Sequence, residues 1–177
     1  MARRYLYYVA ASLDGFIAGP DDALDWLASV ERPGEDYGYA RFYEGVDAVV
    51  MGRRTAEVSQ GFGDWPYPGK PCVVLASRRP EGLPDAVECV ADLSGLEERL
   101  DAVGAQNVWV VGGGRLAAAL ADAGRLDTLI VSLIPVALGS GVPLLPLAGA
   151  PLALELEKTE TFASGLVQLA YKVGRTG

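Results

Sequence analysis

Through its first two thirds the chain alternates short β-branched or aliphatic runs with stretches of helical spacing, an order that admits few folds. Strands separated by helices must run mostly parallel, and a parallel sheet needs both faces covered. The runs predict strands at Arg4–Ala11, Asp47–Gly52, Pro71–Ser77, Ala86–Val90, Asn107–Gly112, Thr128–Ile134, Leu152–Thr161 and Leu166–Val173. Helices are expected at Asp22–Ser29, Asp36–Tyr43, Thr55–Gln60, Leu93–Val103 and Gly114–Ala123. In the last of these, Leu116, Ala119, Leu120 and Ala123 form one apolar stripe that core packing explains fully. After Leu126 the pattern changes to three strands with no helix between them, and Ala163-Ser164-Gly165 suits a tight hairpin. The expectation is an α/β protein with a mixed eight-stranded sheet, mostly parallel, ending in an antiparallel hairpin. Arg175-Thr176-Gly177 reads as a frayed end.

At 177 residues the chain suits a single domain, residues 1–177, with one core. Its net charge of −8 opposes nucleic-acid binding, which draws its affinity from lysines and arginines that release phosphate counterions. Histidine is absent, which removes Ser-His-Asp and zinc-histidine mechanisms, and Cys72 and Cys89 lack CxxC spacing and read as core thiols. No metal site is expected. The segment after Arg3 and Arg4 superficially resembles a signal peptide, but it is short and β-rich and reads better as a buried first strand. No stretch approaches the length of a membrane span. The expectation is a cytoplasmic protein with no membrane partner.

Three strand ends carry the chemistry. Val108-Trp109-Val110-Val111 leads into Gly112-Gly113-Gly114-Arg115-Leu116, a buried strand whose glycines open a helix. Glycine lets backbone approach a ligand, and the unpaired N–H groups of a helix start attract anions, so a pyrophosphate fits there. A turn that needs glycine for geometry alone is the alternative. The spacing is not GxGxxG, so a Rossmann assignment lacks support. Met51-Gly52-Arg53-Arg54-Thr55 repeats the arrangement with guanidinium and hydroxyl donors, against the alternative of an exposed basic turn. Ala76-Ser77-Arg78-Arg79-Pro80 places a hydroxyl and two guanidinium groups at a third strand end, a set suited to a 2′-phosphate or, failing that, a solvated turn.

Ala11-Ser12-Leu13-Asp14-Gly15-Phe16-Ile17-Ala18, Leu24-Asp25-Trp26, Met51-Gly52-Arg53-Arg54-Thr55-Ala56-Glu57 and Val111-Gly112-Gly113-Gly114 occur in the order seen in dihydrofolate-reductase-like proteins. With Ile134 to Pro146 added, the chain resembles over nearly its whole length the branch related to the reductase domain of bacterial riboflavin biosynthesis. The resemblance implies the three-layer dihydrofolate-reductase-like fold and an NADPH site made from Gly52, Arg53, Arg54 and Thr55, from Ser77 and Arg78, and from Gly112, Gly113, Gly114, Arg115 and Leu116. It points to Ala11, Asp14, Ile17 and Trp26 as neighbours of nicotinamide and substrate, although packing alone accounts for Ile17 and Trp26. It also suggests a homodimer. True dihydrofolate reductases keep a carboxylate on the helix before the Met-Gly-Arg strand, and an ungapped count back from Met51 puts Asp36 there as candidate acid, with helix capping as the alternative.

Two departures bear on substrate. Riboflavin reductases usually carry Glu before the paired glycines, where this chain has Val111, and no His or PCxxC of a deaminase is present. The segment Ala28 to Glu35 lacks the leucine-proline pattern of true dihydrofolate reductase. The implied activity is NADPH-dependent hydride transfer to a small pterin-, pyrimidine- or flavin-like heterocycle. A non-catalytic NADPH- or ligand-binding module is the alternative.

Overall fold

The computed structural model describes residues 2–174, so the expected frayed end at 175–177 lies outside the described residues. Its main sheet contains β1 (Arg4–Ser12), β3 (Ala48–Gly52), β4 (Cys72–Leu75), β5 (Val87–Val90), β6 (Asn107–Gly112), β7 (Leu126–Ile134), β9 (Leu154–Thr161) and β10 (Val167–Val173). All eight expected strands are therefore present, within two residues at each end. A further short antiparallel pair, β2 (Phe16–Ala18) and β8 (Val142–Pro143), lies outside the sheet. Elements of three and two residues carry too little pattern to be read in advance.

The strand order is β5-β4-β3-β6-β1-β7-β10-β9. The six strands from β5 to β7 are mutually parallel, and β10 is antiparallel to both β7 and β9. Phe162 N donates to Leu166 O and Gly165 N to Phe162 O, closing the expected hairpin. The edge strand β9 is almost wholly exposed, and its sequence Leu-Glu-Leu-Glu-Lys-Thr-Glu-Thr carries charges that discourage edge-to-edge pairing.

Helices cover both faces. On one, Leu96 and Leu100 of α3 (Leu93–Ala102) and Leu116, Ala117, Leu120 and Ala121 of α4 (Gly114–Asp122) pack with Tyr5, Tyr7, Val50 and Val110. On the other, Ala56 of α2 (Arg53–Gln60) and Phe42 and Tyr43 of α1 (Tyr39–Glu44) pack with Val49, Met51 and Trp109. The central strand β3 is a continuous apolar run because both its faces are covered; Ala48 to Met51 are fully buried.

Two helical expectations change. Asp22–Ser29 is not an α-helix but two 3₁₀ turns, Pro20–Asp22 and Asp25–Val30, because Asp21 and Asp22 take φ of 55° and 61°, where helical hydrogen bonding cannot continue. Asp36–Tyr43 starts only at Tyr39, since Tyr37 and Gly38 are left-handed at φ 55° and 80°.

Candidate cofactor and substrate site

The sheet places its functional edge by topology. From β3 the chain turns outward through α2 to β4, while from β6 it turns the other way through α4 to β7, so the connections diverge between the adjacent strands β3 and β6. Ligands of parallel sheets lie outside the carboxyl ends of strands at such a point. The two helix starts meet there. A Cβ placed on Gly52, the cap of α2, would lie 3.8 Å from Gly113 N, and Gly113 is the cap of α4. Thr55 Oγ1 sits 3.3 Å from the corresponding point on Gly112, whose φ is +152°, and the Gly112–Gly113 peptide is cis.

Neither helix start has a side-chain cap or an acidic residue in its first turn. By contrast, Asp92 caps α3 by accepting from Gly95 N at 2.9 Å. The first turns of α2 and α4 instead carry Arg53, Arg54 and Arg115. Cations at a helix N-terminus oppose the macrodipole by typically 0.3–1 kcal/mol each, an arrangement that an anion between the two helices reverses. Arg54 reaches Asp22 at 2.5 Å and Arg53 reaches Glu57 at 2.8 Å, but both guanidinium groups are exposed, so these pairs cost little to exchange for a ligand.

Two cavities adjoin this point. The smaller, about 150 Å³, is bounded by Ile17, Arg54, Thr55, Val111, Gly112 and Gly113. The larger, about 870 Å³, has walls of Tyr8, Ala10, Tyr39, Trp109, Ile134 and Leu166. Val9 borders both. The neutral polar groups in the large cavity's lining include Tyr8 and Ser132, and Gln168 Nε2, from outside that lining, lies within hydrogen-bond distance of Tyr8 Oη (3.0 Å), Ser132 Oγ (3.1 Å) and Tyr37 O (3.3 Å). Burial raises the Tyr8 pKa, so its hydroxyl stays protonated at neutral pH and can both donate and accept. Trp109 is held against it, its Nε1 donating to Tyr8 O at 3.1 Å.

A family model described as the RibD C-terminal domain matches residues 5–168. The chain belongs to the RibD C-terminal domain family. It is 36% identical to the uncharacterized protein YwjB of Bacillus subtilis (strain 168), over 97% of this chain and 98% of that protein. It is 31% identical to the riboflavin biosynthesis protein RibD of Corynebacterium ammoniagenes over 77% of this chain but only 44% of that longer protein. Among solved structures, a Shewanella sp. PV-4 protein provisionally named for riboflavin biosynthesis superposes with a TM-score of 0.87 at 34% identity, covering 99% of this chain and 100% of that one. RibD of Acinetobacter baumannii superposes at 0.71, with 15% identity and 98% and 58% of the two chains covered, a likeness of fold alone. The fold is thus the dihydrofolate-reductase-like one the motifs implied, a reductase-type fold in this family.

Within this RibD-type domain the residues singled out from sequence divide into those the cavities use and those they do not. Ile17, Arg54, Thr55, Gly112 and Gly113 come together around the small cavity, with Gly52 and Arg53 beside it. Ser77 and Arg78 are exposed just beyond Leu75, the register partner of Gly52, and neither makes a side-chain hydrogen bond among the described residues. Arg79 is not available: its guanidinium donates to the carbonyls of Val87 (2.6 Å), Pro84 (2.8 Å) and Leu83 (3.3 Å), holding the following loop. Arg115 is exposed, whereas Leu116 is a core residue whose N–H donates to Gly113 O. At Gly114 packing by itself requires glycine, because a Cβ there would lie 2.3 Å from Pro143 O.

On the substrate side Ala11 and Trp26 are corrections. Ala11 is fully buried beneath the sheet with Tyr7, and the cavity face of β1 belongs to Tyr8 and Ala10. Trp26 packs with Val30, Ile134 and Leu166, its Nε1 donating to Ala23 O at 3.1 Å, and Leu27 and Val30 reach the cavity in its place. Asp14 borders neither cavity. It accepts from Ser12 Oγ (2.7 Å), Leu138 N (3.0 Å) and Gly139 N (2.6 Å), and these bonds, the Ser12 hydroxyl foremost, lower its pKa to about 2. A folded pKa below the unfolded one gives stability that is present above the ordinary carboxylate range and lost as pH falls toward 2. Asp14→Asn is therefore expected to lower Tm at pH 7 and to lose that difference below pH 2, as paired thermal melts would show.

Asp36 does line the large cavity, but from a turn and not from a helix. Its two oxygens accept from Ala40 N (3.0 Å) and Gly38 N (2.9 Å), the bond from Ala40 contributing most to a lowered pKa. A carboxylate so held is ionised at neutral pH and has no proton to give. Asp36→Asn, which still offers an oxygen to the helix start, is expected to leave ligand binding and any turnover at this site near wild type. A rate loss of about 10²-fold or more, typical of a missing acid–base group, would return Asp36 to catalysis. Sequence reasoning missed Tyr8, Tyr39, Trp109 and Ser132, which line the large cavity, and Gln168, which holds two of them.

Proposed function

We propose that the chain is an NADPH-dependent reductase that moves hydride to a C=N or C=O group of a small pterin-, pyrimidine- or flavin-like ring. The observation that carries this reading is the convergence of two uncapped, arginine-bearing helix starts beside a cavity that shares Val9 with an aromatic one. The residues fit the dinucleotide. The N–H groups after Gly52 and Gly113, the Thr55 hydroxyl and the Arg53 and Arg54 side chains would hold the pyrophosphate, and Ser77 and Arg78 a 2′-phosphate. When bound, NADPH supplies the hydride. Tyr8 and Ser132 hydroxyls would orient the ring's polar edge, while Trp109, Ile134 and Leu166 exclude water from its faces. The protein is proposed to act in the cytoplasm, as a homodimer, on a small molecule and without nucleic acid or membrane; among the described residues no helix is long and apolar enough to cross one.

Calorimetry with NADPH, followed by a panel of such heterocycles read at the reduced-nicotinamide absorbance band, tests the proposal. Absence of NADPH binding would end it. The occupied carboxylate of Asp36 favours one second reading, a module that binds NADPH and reduces nothing, and binding without absorbance loss across the panel would select it.

The 2′-phosphate assignment is tested separately. A charge-assisted hydrogen bond contributes roughly 1.5–3 kcal/mol, toward the lower end at an exposed side chain. Arg78→Ala is accordingly expected to narrow the NADPH-over-NADH preference by about tenfold, leaving NADH affinity unchanged. Equal wild-type affinities for the two cofactors at one salt concentration would remove the assignment.

A further inference from the structure

We infer that the aromatic cavity selects a planar ring that bears no phosphate, and that Glu31, Glu35 and Asp36 at its rim make the selection. The inference rests on the reading of this cavity as the substrate site. Its charged lining consists of those three carboxylates and one guanidinium, Arg32, all on the exposed segment between the second 3₁₀ turn and α1. Arg32 is the one cation in the lining and is outnumbered there; its Nη1 donates to Glu31 O at 2.7 Å and to Ser29 O at 3.3 Å. Just outside the lining, Arg41 acts on Asp36 and Glu160 acts on Tyr8, one charge of each sign, so the rim stays acidic.

The cations that suit phosphate are elsewhere. Arg53 and Arg54 surround the neighbouring smaller spaces, Arg78 and Arg115 are exposed on their own loops, and none of the four borders the aromatic cavity. The molecule thus keeps its arginines on the loops around the smaller spaces and offers the ring neutral hydroxyls at Tyr8 and Ser132, held from behind by Gln168, between aromatic walls. A phosphate carried on the ring's substituent would meet three carboxylates in the lining against one guanidinium, and Arg41 and Glu160 outside it leave that negative balance unchanged.

The test compares two matched pairs, riboflavin with riboflavin 5′-phosphate and uridine with uridine 5′-phosphate, titrated into the full chain and followed by tryptophan quenching. Within a pair the phosphorylated ligand is expected to bind about tenfold or more weakly at low salt. Added salt should narrow the gap, since exposed charges are screened within about 8 Å at physiological ionic strength. Glu31→Gln combined with Glu35→Gln is expected to narrow it as well. Equal or tighter binding of the phosphorylated members overturns the inference, and so does failure of both members of both pairs to bind at millimolar concentration. NADPH affinity is measured on the same protein without ring ligands, so a failed cofactor reading would show there while the pairs still report on the cavity.

Discussion

Gly113→Val is expected to abolish NADPH binding and leave the chain folded. The position is extended, at φ −83° and ψ −179°, which a β-branched residue adopts without strain. A Cβ there would meet only Thr55 Oγ1, at 3.6 Å, an ordinary contact. The block is therefore steric and not conformational. The two methyl groups of valine would occupy a cavity of about 150 Å³ beside the N–H groups at which a pyrophosphate must arrive. Calorimetry should show NADPH affinity reduced by about a hundredfold or more, a loss on the order of two charge-assisted hydrogen bonds. A circular-dichroism melt should stay within a few degrees of wild type, as for substitutions that disturb neither core nor cap. Undiminished binding in a folded variant would reduce the glycine turn to architecture.

The sheet was legible because its strands are of a kind sequence shows well. β3 and β6 are apolar runs ending in glycine, and each is followed by a helical pattern, so strand, turn and helix start are all marked. The glycine- and arginine-bearing loops that meet at the small cavity were legible for the same reason, their residues being adjacent in sequence.

The aromatic cavity was not. β1 is apolar on both faces from Tyr5 to Ala11, because a central strand is covered on both sides, and without alternation nothing distinguishes Tyr8 and Ala10 from Tyr7 and Ala11. Ser132 and Gln168 come from β7 and β10, distant in sequence from β1; Ser132 arrives through the parallel pairing of β7 with β1, opposite Ala10, and Gln168 through its antiparallel pairing with Ser132. Counting back from Met51 picked in Asp36 a residue that does line the aromatic cavity. It could not show that Gly38 would turn the chain so that Asp36 closes onto Gly38 N and Ala40 N.

Gly114→Ala, one residue from the first substitution, is expected to fail differently, by destabilising the fold. The added carbon would lie 2.3 Å from Pro143 O, 2.8 Å from Leu144 O and 3.1 Å from Pro146 Cδ. Flexible side chains could yield, but two of these atoms are backbone and their segment is pinned from its far side. Tyr7 Oη donates to Leu144 O at 3.0 Å, and Leu144 N donates to Gly15 O at 2.9 Å. Gly141 is as tightly confined, since a Cβ there would lie 2.1 Å from Ala18 O. With β8 unable to retreat, α4 must move, and Leu116 and Leu120 would lose their seats against the sheet. Overpacking of this kind costs typically 1–3 kcal/mol and more where backbone must shift. For a domain of this size the melt should fall by roughly 5–12 °C. NADPH binding should weaken with it, because the helix start proposed to hold the pyrophosphate moves. The pair of variants separates two meanings of glycine in one motif: Gly113→Val loses ligand and keeps Tm, whereas Gly114→Ala loses Tm first. A Gly114→Ala protein melting with the wild type would show that β8 yields, and the Pro143 to Pro146 segment would then be a movable wall of the cofactor site and not its anchor.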